Sequence, residues 1–301
     1  MTSLFEKFGK PNHLFDSHCH LYSKKFDEDR AEVVRKAKEN EVVEIFDISI
    51  DLETSSKSIE VSKEFDNVSS FIGIDPQIFI PGNKYFVGLD KDDNWFTDKF
   101  ENLEKLILEN RDEQTSVIEN IMGLGETGMD FYWLKKLDQK LEVRGKKGEV
   151  LTSEEIVALS KSHQERLFRV HLELADKYHL PLSVHVRNAE KECLEIIKEY
   201  ETVGVFHSYT GGFKVARSVI NQGWGLGINA IATYENADDL RNVYRNLFSG
   251  VDIKKWDPET FYINGFYFET DAPYLNPGKN RTLRNEPANI KEIYEAFINL
   301  I

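Results

Sequence analysis

In the stretch LFDSHCHLY, Leu14 to Tyr22, three groups able to do chemistry fall at alternate positions: Asp16, His18 and His20. Alternate side chains of a strand share one face, so these three point one way while Ser17 and Cys19 point the other. Two imidazoles on one face at the end of an apolar run make one wall of a cation site. The same spacing also suits a strand edge facing water, and the pair alone leaves both readings open.

Other polar groups stand at the ends of other apolar runs. GLGETGMD carries Glu126, LSVHVRNA carries His185 and Arg187, VFHSYTGG carries His207, and FYFETDAPYL carries Glu269 and Asp271. If these runs are strands of one parallel barrel, their C-terminal ends form the rim where sites are assembled. Six groups then converge: His18, His20, Glu126, His185, His207 and Asp271. Any one of them alone also suits a core histidine or a helix cap; their joint placement favours ligands. Imidazole and carboxylate suit zinc, manganese or similar divalent cations, and a central carboxylate can bridge two. Such a pair supports metal-assisted hydrolysis, with Glu126 as the bridge and Asp271 as both ligand and proton acceptor.

The elements that must position these groups are legible as eight β-rich runs alternating with helical patterns, the signature of a parallel sheet with crossover helices. The runs are Leu14–Tyr22, Val43–Ile50, Val68–Asp75, Ile121–Asp130, Leu182–Val186, Val203–Ser208, Gly223–Ile228 and Phe266–Thr270. The expected class is α/β and the expected fold a (β/α)8 TIM barrel, with residues 1–301 as a single domain. In QERLFRVHLELADKYHL, Leu167, Val170, His171, Leu174 and Tyr178 mark a helix with one buried stripe, ended by Pro181. His171 and His179 are assigned to that helix rather than to the site.

Two connections, after strands 3 and 4, are long. Residues 77–120 carry Phe79, Tyr85, Phe86, Trp95 and Phe96, then a helix from about Thr97 to Glu109. Their aromatic rings could stack on unpaired bases, although packing within the connection is the simpler role. Residues 131–163 include WLKKLDQKLEVRGKKG, Trp133 to Gly148, a basic run that could supply local positive charge or form a solvated flap.

With 41% hydrophobic and 30% charged residues the 301-residue chain is globular, and its formal charge of −14 excludes broad nucleic-acid binding through a basic face. A phosphate substrate would need local cations. Cys19 and Cys193 offer neither a disulfide framework nor a C-x-x-C knuckle. The stretch MTSLFEKFGKPNHLF lacks a long apolar core, and no run of about 18 apolar residues occurs, which points to a cytoplasmic protein without a membrane span.

With these residues in hand, the sequence resembles the TatD family of metal-dependent deoxyribonucleases, a branch of the amidohydrolase-like TIM barrels. The resemblance rests on FDSHCH, GLGETGMDFYW, HQERLFRVHLELADKYHLPLSVHVRNA, VFHSYTGG, ETDAPYLNP and RNEPANI in this order. It implies a two-metal phosphodiesterase acting on DNA, often as a 3′ to 5′ exonuclease on single strands or 3′ ends. It also implies zinc, magnesium or manganese as cofactor, and a cytoplasmic location, or a nuclear one in a eukaryote. By the same resemblance His18 and His20 would hold one metal with Glu126 and Asp271, and Glu126, His185 and His207 the other.

Arg187 is then a candidate phosphate contact, with a salt bridge as its plain alternative. Arg284, Asn285 and Glu286 of RNEP are expected to brace the loop after the last strand. Three features depart from the family pattern. Asp75 in GIDP stands where a histidine is usual and bears on substrate binding. Tyr209 replaces a common Phe and would add a hydroxyl to the rim. The closing helical segment after NEPANI is shortened. The alternative activity is hydrolysis of a small ester, amide or lactone on the same barrel. A metal-containing binding protein would have lost a ligand, and none of the six is missing. No obligate protein partner is evident.

Overall fold

A computed structural model describes residues 13–112, 114–115, 117–137, 142–278 and 281–301. Eight strands lie in sequence order in one parallel sheet. They are β1 (Leu14–Cys19), β2 (Val42–Ile48), β3 (Val68–Ile72), β4 (Ile121–Asp130), β5 (Leu182–Arg187), β6 (Gly204–His207), β7 (Gly225–Ile228) and β8 (Phe266–Phe268). Between and after them run α1 (Arg30–Glu39), α2 (Leu52–Glu64), α3 (Asp93–Glu109), α4 (Ser153–Tyr178), α5 (Glu190–Ile197), α6 (Phe213–Asn221), α7 (Asp238–Leu247), α8 (Pro258–Ile263) and α9 (Ile290–Leu300). This is the expected (β/α)8 barrel. Among the described residues no helix is long and apolar enough to cross a membrane.

The barrel closes between β8 and β1 through a few specific bonds. Ser17 Oγ donates to the Phe268 carbonyl at 2.9 Å. The Asp271 N–H donates to the His18 carbonyl at 2.8 Å, and the His20 N–H to the Ala272 carbonyl at 2.6 Å. These two backbone bonds join the chain just past the strand ends, since β1 ends at Cys19 and β8 at Phe268, short of the expected Tyr22 and Thr270. Outside the seam, α9 buries Ile290, Ile293 and Phe297 completely. Burying side chains of this size contributes about 1.5–3 kcal/mol each.

Both long connections are organised by α4. This helix starts well before the expected Gln164, because Thr152 and Glu155 form a capping box: the Glu155 N–H donates to Thr152 Oγ1 at 3.2 Å and the Thr152 N–H to Glu155 Oε2 at 2.8 Å. Its first turns hold the β3 connection, with Ser160 Oγ donating to the Phe79 carbonyl at 2.7 Å and His163 Nε2 to that of Leu89 at 3.2 Å. Phe79 and Phe96 pack against His163, and Trp95 packs on both of those rings. Most rings of that connection therefore serve packing; Tyr85 does not, and is 42% exposed. Helix α3 begins at Asp93, not Thr97, because the Asp92 side chain accepts the Trp95 N–H at 3.2 Å.

Candidate metal centre

The seam between β1 and β8 brings three of the six candidate residues together. Fixed by the two backbone bonds, Asp271 places Oδ1 3.4 Å from His20 Nε2 and 3.9 Å from His18 Nε2. Its backbone has φ of 55°, a left-handed conformation that Asp tolerates better than most residues. Asp16 does not share their face. The β1 register is irregular on both sides of it, and its buried carboxyl turns to β8 to accept the Thr270 N–H at 2.8 Å. Burial pushes that carboxyl up to about 8.

Glu126 lies within β4, four residues before its end, and is 4% exposed. Its two oxygens face different histidines. Oε1 is 2.7 Å from His185 Nδ1 and 3.2 Å from His207 Nε2. Oε2 is 3.8 Å from His20 Nε2 and 3.9 Å from His18 Nε2. Among the described residues the spacing of the atoms gives three candidate ligand groups: His18, His20 and Asp271; Glu126, His185 and His207; and His18, His207 and the deeper Glu269. The first two face each other across Glu126.

Three of the four imidazoles are also hydrogen-bonded from behind, and behind the fourth, His207, stands a carboxylate to which its Nδ1 makes no hydrogen bond. His18 Nδ1 is 2.8 Å from Ser183 Oγ, and His20 Nδ1 donates to the Ile48 carbonyl at 2.7 Å. His185 Nε2 meets Asp130 Oδ2 at 3.1 Å, and His207 Nδ1 lies 3.5 Å from Glu269 Oε1. Glu269 also accepts from the Ser208 N–H at 2.5 Å and Asn229 Nδ2 at 3.1 Å. Its other oxygen fits only because residue 227 is glycine, since a Cβ there would lie 2.2 Å from Oε2. Orienting partners of this kind fix ring direction and tautomer at metal sites. The sequence reading named Glu269 without assigning it a role and missed Ser183 and Asp130.

The electrostatics of the cluster call for positive charge. Burial works to lower His20, but the Asp271 and Glu126 carboxylates outweigh it and hold the imidazole up at about 9. Burial opposes His207 likewise, and Glu126 and Glu269 hold it up at about 10. Burial would raise Glu126, yet His185 and His207 keep it well below the usual carboxylate range. His18 behaves differently: burial pushes it well down, and its Nε2 is buried without a hydrogen-bond partner. A neutral nitrogen aimed at two carboxylates, beside imidazoles that otherwise need protons, fits divalent cations in this donor set.

The sequence profile of the TatD related DNase family matches residues 15–301. The chain belongs to that family. It is a metal-dependent hydrolase of the TatD type. A Bacillus subtilis relative, the uncharacterized metal-dependent hydrolase YabD, is 26% identical over 290 residues, covering 95% of this chain and 91% of its own. A Vairimorpha ceranae protein named as a putative deoxyribonuclease TATDN1 homolog is 25% identical over 299 residues, covering 95% and 87%. The crystal structure of the TatD homologue YjjV of Escherichia coli superposes with a TM-score of 0.70 at 18% identity, covering 95% of this chain and 90% of that one. That of a TatD-family hydrolase of Entamoeba histolytica gives 0.66 at 20% identity, covering 97% and 92%. At these identities the structures speak for the fold.

In this TatD-family barrel the centre opens into a pocket of about 800 Å³. Arg187 lines it, with its guanidinium 4.0 Å from the Tyr132 ring centroid and, among the described residues, no carboxylate within 4.0 Å. Its expected alternative, a salt bridge, is therefore absent there. Asp75 also lines the pocket and caps the turn after β3 by accepting the Gln77 N–H at 2.7 Å. Burial, with the Glu126 charge adding to it, raises its carboxyl to about 7.

Tyr209 does not reach the pocket. Its ring is buried and its hydroxyl donates to the Gly212 carbonyl at 2.9 Å, so the expected rim hydroxyl is spent inside the loop. The basic run Trp133–Gly148 contributes no pocket wall among its described residues. Arg144 pairs with Glu142, and Lys146 lies 3.6 Å from Asp92; Asp138 and Lys140 are outside the described residues. The RNEP residues act as braces. Arg284 holds Asp29 through two nitrogens at 2.8 and 2.6 Å, and Asn285 Nδ2 donates to the Thr270 carbonyl at 2.8 Å.

Proposed function

We propose that the chain hydrolyses phosphodiester bonds of DNA, acting on single strands or 3′ ends, with two divalent cations and residues 1–301 as one catalytic domain. The observation that carries this reading is the division of Glu126, one oxygen toward His185 and His207 and the other toward His18 and His20. His18, His20, Glu126 and Asp271 would hold one cation, and Glu126, His185 and His207 the other, as zinc, magnesium or manganese. When bound, such cations supply Lewis acidity at a phosphoryl oxygen and make water a nucleophile at neutral pH.

The remaining work falls to this chain's own side chains. Asp271 lies at the pocket wall, and its carboxylate is the group placed to accept a proton from the attacking water. Arg187, which has no carboxylate within 4.0 Å among the described residues, offers a guanidinium fork to phosphate oxygens. Asp75, half-buried in the same pocket wall where the turn after β3 begins, is the residue placed to bear on substrate choice. Ser183 and Asp130 hold the rings of His18 and His185 in direction. Membership of a family described as TatD related DNase, and a relative named as a putative deoxyribonuclease, support DNA as the substrate. The proposed compartment is the cytoplasm or, in a eukaryotic cell, the nucleus.

The test is to incubate metal-loaded protein with single-stranded DNA labelled at either end, beside Asp271→Asn and a panel of simple esters and lactones. Nucleotide release from 3′ ends, lost in the variant, is the expected result. Turnover of an ester or lactone without DNA cleavage would overturn the reading in favour of the small-molecule alternative.

A further inference from the structure

The proposed DNA reading leaves open how an acidic protein holds a polyanion. Five cations line the pocket: Lys24, Lys25, Lys57, Lys84 and Arg187. Lys57 is paired with Glu53 at 2.6 Å. Lys25 and Lys84 have no carboxylate within 4.0 Å among the described residues, and each sits against a tyrosine ring instead. Lys25 Nζ is 4.5 Å from the Tyr274 centroid, and Lys84 Nζ is 4.5 Å from that of Tyr85. Both rings line the same pocket, and they are 48% and 42% exposed. Tyr274 adjoins the candidate metal centre, its ring centroid 5.9 Å from that of His20.

We infer that Tyr85 and Tyr274, with Lys84 and Lys25 against them, form a subsite that takes an unpaired nucleobase and its phosphate beside the metal centre. The inference rests on the nuclease reading and adds where the strand is held. An exposed ring in an otherwise polar pocket offers a stacking face to any base, and an unpaired ammonium beside it matches the backbone phosphate. The parts are fixed in place. The Lys25 carbonyl accepts from Arg284 Nη1 at 2.7 Å, and the Tyr85 N–H donates to Asn83 Oδ1 at 2.9 Å, whose amide donates to Gln77 Oε1 at 3.0 Å. Three separate loops, after β1, β3 and β8, thus contribute to one face. Phe79, Trp95 and Phe96 of the same connection are committed to packing with one another and His163, whereas Tyr85 is exposed.

The experiment measures binding of a fluorescent, cleavage-resistant phosphorothioate oligothymidylate to the metal-loaded protein by anisotropy, across a range of salt. Circular dichroism and bound-metal content show that each variant is folded. Tyr85→Ala and Tyr274→Ala are each expected to weaken binding about 5- to 150-fold, the range found for single base–aromatic stacks. Lys25→Gln combined with Lys84→Gln should reduce the slope of log affinity against log salt by about 0.7, the value for one phosphate contact on a single strand. The control Lys198→Gln, outside the pocket and paired with Glu195, should change neither. Wild-type cleavage of DNA with unaltered affinity and slope in these variants would overturn the subsite alone. Failure of the wild-type protein to bind the oligonucleotide would overturn the subsite together with the nuclease reading.

Discussion

His171 gives the fold a pH dependence that can be worked out from its surroundings. The side chain is fully buried on α4. Its Nδ1 donates to the Leu167 carbonyl at 2.8 Å, and its Nε2 accepts the Ile74 N–H at 3.0 Å, next to Asp75 on the rim. A proton on Nε2 would break the second bond and place a charge in the core. Burial accordingly pushes this imidazole down to about 4 from an ordinary 6.5. Above pH 6.5 both folded and unfolded chains are neutral here, and the stability is complete. As pH falls from 6.5 to 4, the unfolded chain takes up a proton that the folded chain refuses, so stability falls at ~1.4 kcal/mol per pH unit. The gap of about 2.5 pH units gives about 3 kcal/mol in all, and about 2 kcal/mol of it is lost by about pH 5.

The perturbation is His171→Gln, which keeps an acceptor for Ile74 and removes the titration. Urea unfolding of both proteins between about pH 7.5 and 5 gives their stability difference at each pH. Carboxylates that do not contact position 171 cancel from that difference. The variant should be the less stable protein at the higher pH, and its deficit should shrink by about 2 kcal/mol at the lower. A deficit that stays constant across this range would refute the argument.

Other consequences follow from the site and the core. Glu126→Gln removes the carboxylate proposed to serve both cations, so bound metal measured by mass spectrometry should fall at both sites and turnover should drop by more than about 100-fold, beyond the range typical of an outer partner. Ser183→Ala leaves His18 Nδ1 without its partner at 2.8 Å; competition with a chromogenic chelator should show affinity for one metal weakened about 10-fold. Stripping metal with a chelator should lower the calorimetric Tm, and returning it at about 100 times Kd should restore about 2.7 kcal/mol. Phe261, fully buried against Phe248, Trp256 and Phe268, should cost about 3–5 kcal/mol on truncation to Ala, read by urea unfolding.

The sequence made the barrel and the six converging groups legible because their signals are local. An apolar run ending in histidine or carboxylate is visible one strand at a time, and the barrel topology then puts those ends together. Groups whose roles depend on register were less visible. Ser183 is an ordinary serine in LSVH until parallel pairing brings β5 beside β4 and its hydroxyl behind His18. Asp130 becomes a partner of His185 only because β4 runs four residues past Glu126. Asp16 looked like a third member of an alternating face, but the irregular register of β1 turned it to Thr270. The early start of α4 was written in Thr152 and Glu155, a local signal that the apolar stripe farther along the helix overshadowed.

Charge shows the same division most clearly. The run Trp133–Gly148 draws attention because its cations are contiguous in sequence, yet its described part spends two of them on Glu142 and Asp92 and does not line the pocket at the candidate centre. The cations that do line the pocket come from the β1 loop, α2, the β3 connection and the end of β5, and apart from Lys24 and Lys25 no two are neighbours in sequence. Contiguity therefore measures local composition, whereas the potential felt by a substrate sums charges that topology collects from separate loops. For a chain of net charge −14 that distinction bears on where a phosphate would be held, and the proposed place is at Lys25 and Lys84, which line the pocket and have no carboxylate within 4.0 Å among the described residues.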